Sequence, residues 1–92
     1  MTASRKPTRR SQLGVSLEQY EEMLARQGGV CPICLMPPKV RRLDTDHDHR
    51  TGKVRGLLTH KCNRGLAYFA DDPARLRRAA DYLEGNRDLL PR

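Results

Sequence analysis

Four consecutive side chains, Asp46-His47-Asp48-His49, combine carboxylates with imidazoles. On a regular strand the aspartates would face one side and the histidines the other, but a turn here could bring several of them together. A carboxylate suits a hard cation such as Mg²⁺ or Mn²⁺, and a neighbouring imidazole can accept a proton from water near neutral pH. This combination is typical of phosphodiester hydrolysis, in which a base activates water and a cation stabilises developing charge. The alternative is a structural or adventitious cation site.

The three cysteines form a second group with metal-binding spacing. Cys31 and Cys34 stand in a C-x-x-C pair, and Cys62 lies far along the chain. Structural zinc takes four Cys or His ligands, and a C-x-x-C pair supplies two of them from one turn. His60 is the best candidate for the fourth ligand, because Thr59 would bind zinc poorly; the alternative for His60 is a surface histidine beside the site. The spacing predicts a zinc site of three cysteines and one histidine, with a redox pair or ordinary buried thiols as alternatives.

Length and composition favour a small domain held together by a metal. The chain has 92 residues, 37% hydrophobic and 4% aromatic, with no tryptophan. A core this poor usually needs a disulfide, a metal or a partner chain. No apolar run approaches the roughly 20 residues of a membrane span, and no apolar stretch follows the charged N-terminus as in a secretory signal. These features exclude an integral membrane protein and a large catalytic barrel, and three cysteines argue against a disulfide-rich secreted scaffold.

The positive charge is concentrated in two parts of the chain. The net charge is +7, and residues 1–12 contain four basic residues and no acidic one. Residues 37–68 contain eight basic and three acidic residues. Such basic segments attract polyanions such as DNA or RNA, and we expect no membrane partner; the alternative is that the charge only confers solubility. Residues 1–12 are expected to form a disordered basic arm, which binds DNA or acts as a solubilising tail.

The first element that must position these residues is an amphipathic helix. Ser16 and Gln19 form a capping-box pattern at its start, and Gly28-Gly29 ends it. The spacing of four apolar residues predicts one buried face, made of Leu17, Tyr20, Met23 and Leu24.

A β-hairpin and two more helices are expected after the cysteine pair. The hairpin consists of a strand over 43–49, a turn over 50–53 and a returning strand over 54–58. A helix is expected from Cys62 to Phe69. Asp72 and Pro73 then mark the start of a last helix, which Gly85 ends. The buried face predicted for that helix contains Leu76, Ala79, Ala80 and Leu83.

The order of these motifs resembles a known family. C-x-x-C is followed by Leu43-x-x-Asp46-His47-Asp48-His49-x-Thr51-Gly52-x-Val54-Arg55-Gly56-Leu57-Leu58, then by Cys62-Asn63 and Asp71-Asp72-Pro73. This pattern resembles the recombination endonuclease VII family of phage and bacterial HNH (His-Me finger) nucleases. The resemblance runs from about Leu17 to Leu83.

The resemblance implies a fold and a role for particular residues. The fold class is a small α+β domain, in which a ββα-metal hairpin-helix motif clasps a catalytic divalent cation beside a structural zinc knuckle and flanking helices. His47 matches the general base, and Asp46 and Asn63 match the ligands of a catalytic Mg²⁺ or Mn²⁺. His49 matches a further active-site histidine, and Arg55 a phosphate contact or, equally, a solvated strand charge.

One position departs from the family pattern. A second C-x-x-C is typical of the family, and it would place a cysteine where this chain has Thr59. The zinc site is therefore altered, completed by His60, or missing.

The leading hypothesis is a metal-dependent DNA endonuclease, a phage or prophage protein acting in the cytoplasm of a bacterial host. One nuclease domain would span residues 13–85, with a loose tail over 86–92, and a homodimer is left open. Arg50, Lys53 and Arg55 of the hairpin would contact the phosphate backbone. The alternatives are a non-catalytic zinc-stapled nucleic-acid-binding module and a regulatory protein that senses metal or redox state.

Overall fold

The computed structural model describes residues 14–85. The predicted basic arm and C-terminal tail lie outside the described residues. The elements in chain order are α1 Leu17–Arg26, β1 Asp44–His47, β2 Val54–Leu58, α2 His60–Tyr68 and α3 Pro73–Glu84. The two strands form one antiparallel sheet. This order confirms a small α+β fold with a hairpin followed directly by a helix.

The predicted ends of α1 are confirmed. The Ser16 hydroxyl accepts a hydrogen bond from Gln19 N at 3.1 Å, and Gln19 Oε1 accepts one from Ser16 N at 2.8 Å. This reciprocal capping box satisfies two backbone donors that the first turn leaves free. At the other end, Gly28 and Gly29 both take positive φ, and their N–H groups bond back to Ala25 and Leu24. The helix therefore ends in a Schellman-type turn that favours glycine.

The buried face of α1 is narrower than its apolar spacing predicts. Tyr20 is buried, Met23 and Leu24 pack partly against the core, and Leu17 is largely exposed. Tyr20 also donates a hydrogen bond from its hydroxyl to Leu43 O at 2.7 Å. This bond fixes α1 to the segment that leads into β1. The buried hydrophobic residues of the core are Val15, Tyr20, Cys31, Leu43, Leu57 and Leu58.

The hairpin contains a bulge next to the Asp-His cluster. Asp46 pairs with Gly56, but His47 pairs with Val54, so Arg55 has no residue opposite it on β1. An extra residue of this kind bends the strand and redirects its side chain. The bulge therefore accounts for the way Arg55 reaches across to β1.

The Gln27 side chain connects the C-terminal end of α1 to β2. Its Oε1 accepts a hydrogen bond from Leu57 N at 2.8 Å, and its Nε2 donates to Leu57 O at 2.9 Å and to Val30 O at 3.0 Å. The amide thus takes the place of a neighbouring strand for Leu57. A Cβ on Gly56 would lie 3.0 Å from Gln27 Oε1, which explains a glycine at that point of β2.

Helix α2 begins two residues earlier than predicted. Thr59 is its N-cap and accepts a hydrogen bond from Cys62 N at 3.4 Å, so the helix starts at His60. After the helix, Ala70 and Asp71 have φ values of 58° and 54°. The N–H groups of these two residues bond back to Ala67 and Leu66, closing the helix with a left-handed turn.

Helix α3 begins as predicted, but its predicted buried face is wrong. Asp72 caps it by accepting from Ala74 N at 3.0 Å, and Pro73 occupies the first turn. No residue of α3 is buried. Leu76 and Ala79 are half-buried, and Leu83 is 81% exposed. Periodicity alone could not show that the described residues leave most of this face open. No helix within residues 14–85 is long and apolar enough to span a membrane.

Candidate functional site

A cleft lies between the end of β1, helix α2 and the turn after α2. It has a volume of about 180 Å³ and is lined by Thr45, Asp46, His47, His49, Asn63, Arg64, Ala67 and Asp71. Four residues predicted from the sequence therefore line one cavity, although Asn63 comes from a different element. They meet because Thr59 alone separates β2 from α2, which folds the helix back against the hairpin.

His47 has a buried ring nitrogen with no partner. Its Nδ1 is inaccessible to solvent and makes no hydrogen bond in the described part of the chain. Leaving a buried polar atom unsatisfied costs about 1–3 kcal/mol. The rings of His47 and His49 pack in a T-shaped arrangement, with centroids 5.1 Å apart and planes at 83°. A buried nitrogen without a partner beside a polar cleft marks His47 as a candidate functional side chain.

Asp46 is held by a two-pronged ion pair. The carboxylate is buried, with 8% of the residue exposed. Arg55 donates from Nε to Asp46 Oδ2 at 2.8 Å and from Nη2 to Oδ1 at 3.1 Å. The hydrogen bonds to Asp46, assisted by its charge, raise the pKa of the Arg55 guanidinium above its ordinary value. The sequence assigned these residues to different partners, a cation and a phosphate, but the structure brings them together.

Asp71 is a site residue to which sequence reasoning gave no role. Its Oδ2 lies 3.2 Å from Arg55 Nη2 and 3.8 Å from His49 Nδ1. A carboxylate in a turn between two helices belongs to no repeating pattern, and the sequence identifies Asp71 only as part of the family motif Asp71-Asp72-Pro73. Arg55 thus lies between two carboxylates, one on β1 and one in the turn after α2.

The hairpin turn presents basic side chains beside the cleft. Asp48 Oδ1 accepts a hydrogen bond from Arg50 N at 2.8 Å, and this bond lowers the pKa of the Asp48 carboxyl. The Arg50 side chain is 88% exposed, and Lys53 is also exposed. A groove of about 600 Å³ shares lining residues with the cleft, including His49, and extends to Arg50. The turn therefore presents two exposed cations, and Asp48 acts as a turn carboxylate whose Oδ1 also lies 3.9 Å from Arg50 Nε.

The three cysteines converge as their spacing predicts. The sulfur atoms of Cys31, Cys34 and Cys62 all lie within 4.8 Å of one another. In a tetrahedral zinc site with Zn–S bonds of about 2.3 Å, the sulfurs stand about 3.8 Å apart. The cluster therefore fits three thiolate ligands of one zinc ion with a small contraction.

The predicted fourth zinc ligand, His60, does not join the cysteine cluster. His60 lies outside it, because its Nδ1 is 3.0 Å from Asp44 Oδ2 at the start of β1. Thr59 is the residue beside the thiols, with Oγ1 3.5 Å from Cys34 Sγ and 3.8 Å from Cys31 Sγ. The geometry does not support His60 as the fourth ligand. Helix α2 starts at His60 and directs its ring toward the hairpin instead.

Two of the thiols have shifted pKa values in opposite directions. Burial raises the pKa of Cys31, but hydrogen bonds from the backbone of Cys34, Thr59 and Ile33 outweigh this and lower it to about 6. Burial raises the pKa of Cys62. The protein surroundings thus favour the thiolate form at Cys31, as a metal ligand requires.

Comparisons with known proteins identify the family of this chain. Residues 6–85 match the family described as recombination endonuclease VII. The Gene 59 protein of Mycobacterium phage D29 is 46% identical over 72 residues, which cover 76% of this chain and 44% of that protein. The Gene 59 protein of Mycobacterium phage L5 is 42% identical over the same shares. The chain therefore spans less than half the length of these phage relatives. No solved structure matches the chain significantly. Because the family match covers most of its length, the chain belongs to the recombination endonuclease VII family.

Proposed function

We propose that this chain is a metal-dependent DNA endonuclease of the HNH type, which hydrolyses phosphodiester bonds by means of a ββα-metal motif. One observation carries the proposal. The cleft between hairpin and helix gathers Asp46, His47 and Asn63, and the buried Nδ1 of His47 has no partner among the described residues. Family membership supports a nuclease role.

His47 is the general base in this proposal. The imidazole of His47, which lines the cleft, takes a proton from a water molecule there, and that water attacks the phosphorus atom. His49 packs against His47 in a T-shaped arrangement, which restricts the rotation of the base. His49 is itself close enough to the cleft to contact a phosphate oxygen.

Asp46 and Asn63 would hold the catalytic Mg²⁺ or Mn²⁺. A carboxylate and an amide oxygen are ligands that such hard cations accept, and both residues line the cleft. When bound, the cation would stabilise the charge on the phosphate and on the leaving oxygen. Arg55 would then be released from Asp46 and would be free to contact phosphate.

The substrate is DNA, held mainly through its backbone. Arg50 and Lys53 are exposed cations of the hairpin turn, and Arg50 lines the groove that adjoins the cleft. Contacts of this kind hold the phosphates without reading the bases. The three cysteines would hold a structural zinc that fixes the start of α2 relative to the C-x-x-C turn.

The test is cleavage of a supercoiled plasmid near neutral pH. Wild-type protein and a His47→Ala variant are compared with Mg²⁺, with Mn²⁺ and with a chelator in place of both. We expect wild type to nick or cut the plasmid with either cation. Loss of a general base lowers the rate about 10²–10⁴-fold, so the variant should be nearly inactive.

Two controls keep the result interpretable. The His47→Ala variant should bind a DNA duplex as tightly as wild type and should still unfold in a cooperative thermal transition. Zinc content is measured in both proteins, so that a loss of fold is not mistaken for a loss of chemistry. Absence of cleavage by folded, zinc-loaded wild type with every cation would overturn the nuclease proposal in favour of a non-catalytic DNA-binding module.

A further inference from the structure

The turn between α2 and α3 holds Asp71 in an unusual backbone conformation. Ala70 and Asp71 are consecutive non-glycine residues with positive φ, a conformation that side chains oppose. The turn is pinned by a hydrogen bond from Asp71 N to Leu66 O at 2.8 Å. Backbone strain of this kind is often found at functional sites. Here its effect is to turn the Asp71 carboxylate back toward the hairpin.

The carboxylate of Asp71 meets the bulge residue of β2. Its Oδ2 is 3.2 Å from Nη2 of Arg55, the same nitrogen that donates to Asp46. The Arg55 side chain remains 38% exposed, so part of the guanidinium faces solvent. Two unusual local features, a bulge and a left-handed turn, thus converge on one ion pair.

Resting on the function proposed above, we propose that Asp71 is a positioning residue that holds Arg55 for a DNA phosphate while a cation occupies Asp46. A divalent cation at Asp46 takes the oxygens that Arg55 uses and repels the guanidinium. Among the described residues, Asp71 is then the remaining partner of Arg55. The N–H groups released from Asp46 can form the paired hydrogen bonds with phosphate for which a guanidinium is suited.

The direction in which DNA affinity changes when Asp71 is neutralised distinguishes a positioning role from a purely electrostatic one. If Asp71 only added negative charge near the DNA, its neutralisation would strengthen binding, because carboxylates repel phosphates. If Asp71 positions Arg55, neutralisation weakens binding instead. The neighbouring Asp72 provides a matched control: it is partly exposed and caps α3 rather than contacting Arg55.

The test is a double-mutant cycle on DNA affinity in a His47→Ala background, which prevents cleavage during the measurement. Asp71→Asn and Asp72→Asn are compared by fluorescence anisotropy with a short DNA duplex and Mn²⁺, in the presence and absence of Arg55→Met. Asparagine tolerates the left-handed backbone and can still cap a helix, so both substitutions suit their positions. Melting temperatures verify that each variant is folded.

We expect Asp71→Asn to weaken DNA binding about fivefold, and Asp72→Asn to leave it within about twofold. In the Arg55→Met background, Asp71→Asn should cause no further loss. In proteins with His47 restored, the loss should appear in KM rather than in kcat. If Asp71→Asn strengthens binding, matches Asp72→Asn, or weakens binding equally without Arg55, the proposal is overturned.

The cycle also separates this proposal from the nuclease proposal. Its first readout is DNA affinity, which requires no cleavage by any variant. A chain that binds DNA with the predicted coupling but cuts no plasmid would retain the role of Asp71 and lose the enzymatic function. A parent protein that binds no DNA would overturn the role of Asp71 as well.

Discussion

Arg55 covers both carboxylate oxygens of Asp46, with donor–acceptor distances of 2.8 and 3.1 Å. The pair lies where the hairpin bulges, and Asp46 is buried beneath the arginine. An aspartate used as a cation ligand must give up at least part of this contact. Cation binding and the position of Arg55 are therefore coupled in the proposed enzyme.

Replacing Arg55 should make the cleft a better cation site. In Arg55→Met, both oxygens of Asp46 are free, so Mn²⁺ no longer competes with a guanidinium. We expect the variant to be less stable than wild type without cation, because its buried carboxylate has lost its partner. We expect Mn²⁺ to raise its melting temperature more than that of wild type, since a ligand that binds only the folded state stabilises it. An equal or smaller rise would contradict the competition.

Gln27 should contribute more to stability than its half-buried position suggests. Gln27→Ala leaves the N–H and C=O of Leu57 without their partners beside the core. We expect a loss of about 2–3 kcal/mol in the free energy of unfolding, measured with a denaturant. The matched control is Gln19→Ala, which removes an exposed cap and should cost about 1 kcal/mol or less. Similar losses in both variants would refute a special role for Gln27.

Local features of this protein could be predicted from the sequence, and long-range ones could not. The capping box at Ser16 and the start of α3 at Asp72 depend on neighbouring residues, so their patterns were sufficient. The Gln27–Leu57 and Arg55–Asp71 contacts join residues that are distant along the chain. Neither contact produces a recognisable sequence pattern, because a single side chain that bonds to a distant residue does not repeat at a regular spacing.

Only those parts of the candidate site that depend on neighbouring residues could be predicted from the sequence. The metal-capable residues at 46–49 are consecutive, so the sequence alone predicts a site there. Asn63 was assigned only by the family pattern, because an asparagine near a helix start is usually interpreted as a cap. The sequence predicts that Thr59 is a poor zinc ligand. It does not show that Thr59 caps α2 beside the thiols.

Thr59→Cys should complete a zinc site with four cysteine ligands. The new thiol would lie near the position of Thr59 Oγ1, close to Cys34 and Cys31. We expect zinc affinity to rise about tenfold or more, measured by competition with a chelator, and the zinc-loaded variant to melt at a higher temperature. Without metal the same variant should be about 1 kcal/mol less stable than wild type, because cysteine is a weaker N-cap than threonine.

A second variant, His60→Ala, tests whether His60 is the fourth zinc ligand. Its ring pairs with Asp44 and lies outside the thiol cluster, so zinc affinity should stay within about twofold of wild type. A large loss of zinc affinity in this variant would restore His60 as the ligand. It would also contradict the expectation for Thr59→Cys, which needs the fourth position to be next to Thr59.

The stability of the metal-free protein should depend on pH through two thiols. The folded pKa of Cys31, about 6, lies below its ordinary value of 9.0, so the folded state binds fewer protons between these values. Its contribution to the free energy of unfolding therefore rises from about pH 6 to 9 and is lost as the pH falls through about 6. Cys62 has a pKa raised above 9.0, so its contribution is present below that pH and is lost at higher pH.

Denaturant unfolding of the metal-free chain in the cold should therefore show a rise in stability toward about pH 9 that is absent in Cys31→Ala. The ¹³Cβ resonance of Cys31 should titrate near pH 6 in the same sample. An ordinary thiol midpoint for Cys31 in the folded protein would contradict the hydrogen bonding that surrounds its sulfur.

The basic residues of the hairpin turn should account for a measurable part of the salt dependence of DNA binding. Each cation that neutralises a phosphate adds about 0.9 to the slope of log K against log salt concentration. We expect Arg50→Ala and Lys53→Ala each to reduce that slope by nearly one and to weaken binding equally on unrelated duplexes, because backbone contacts carry no sequence information. The control is Arg77→Ala on α3, which removes the same charge from an exposed side chain that lines neither the cleft nor the groove and should leave the slope unchanged. Equal slopes in all four proteins would mean that the turn does not touch DNA, and the substrate would then have to approach the cleft from another side.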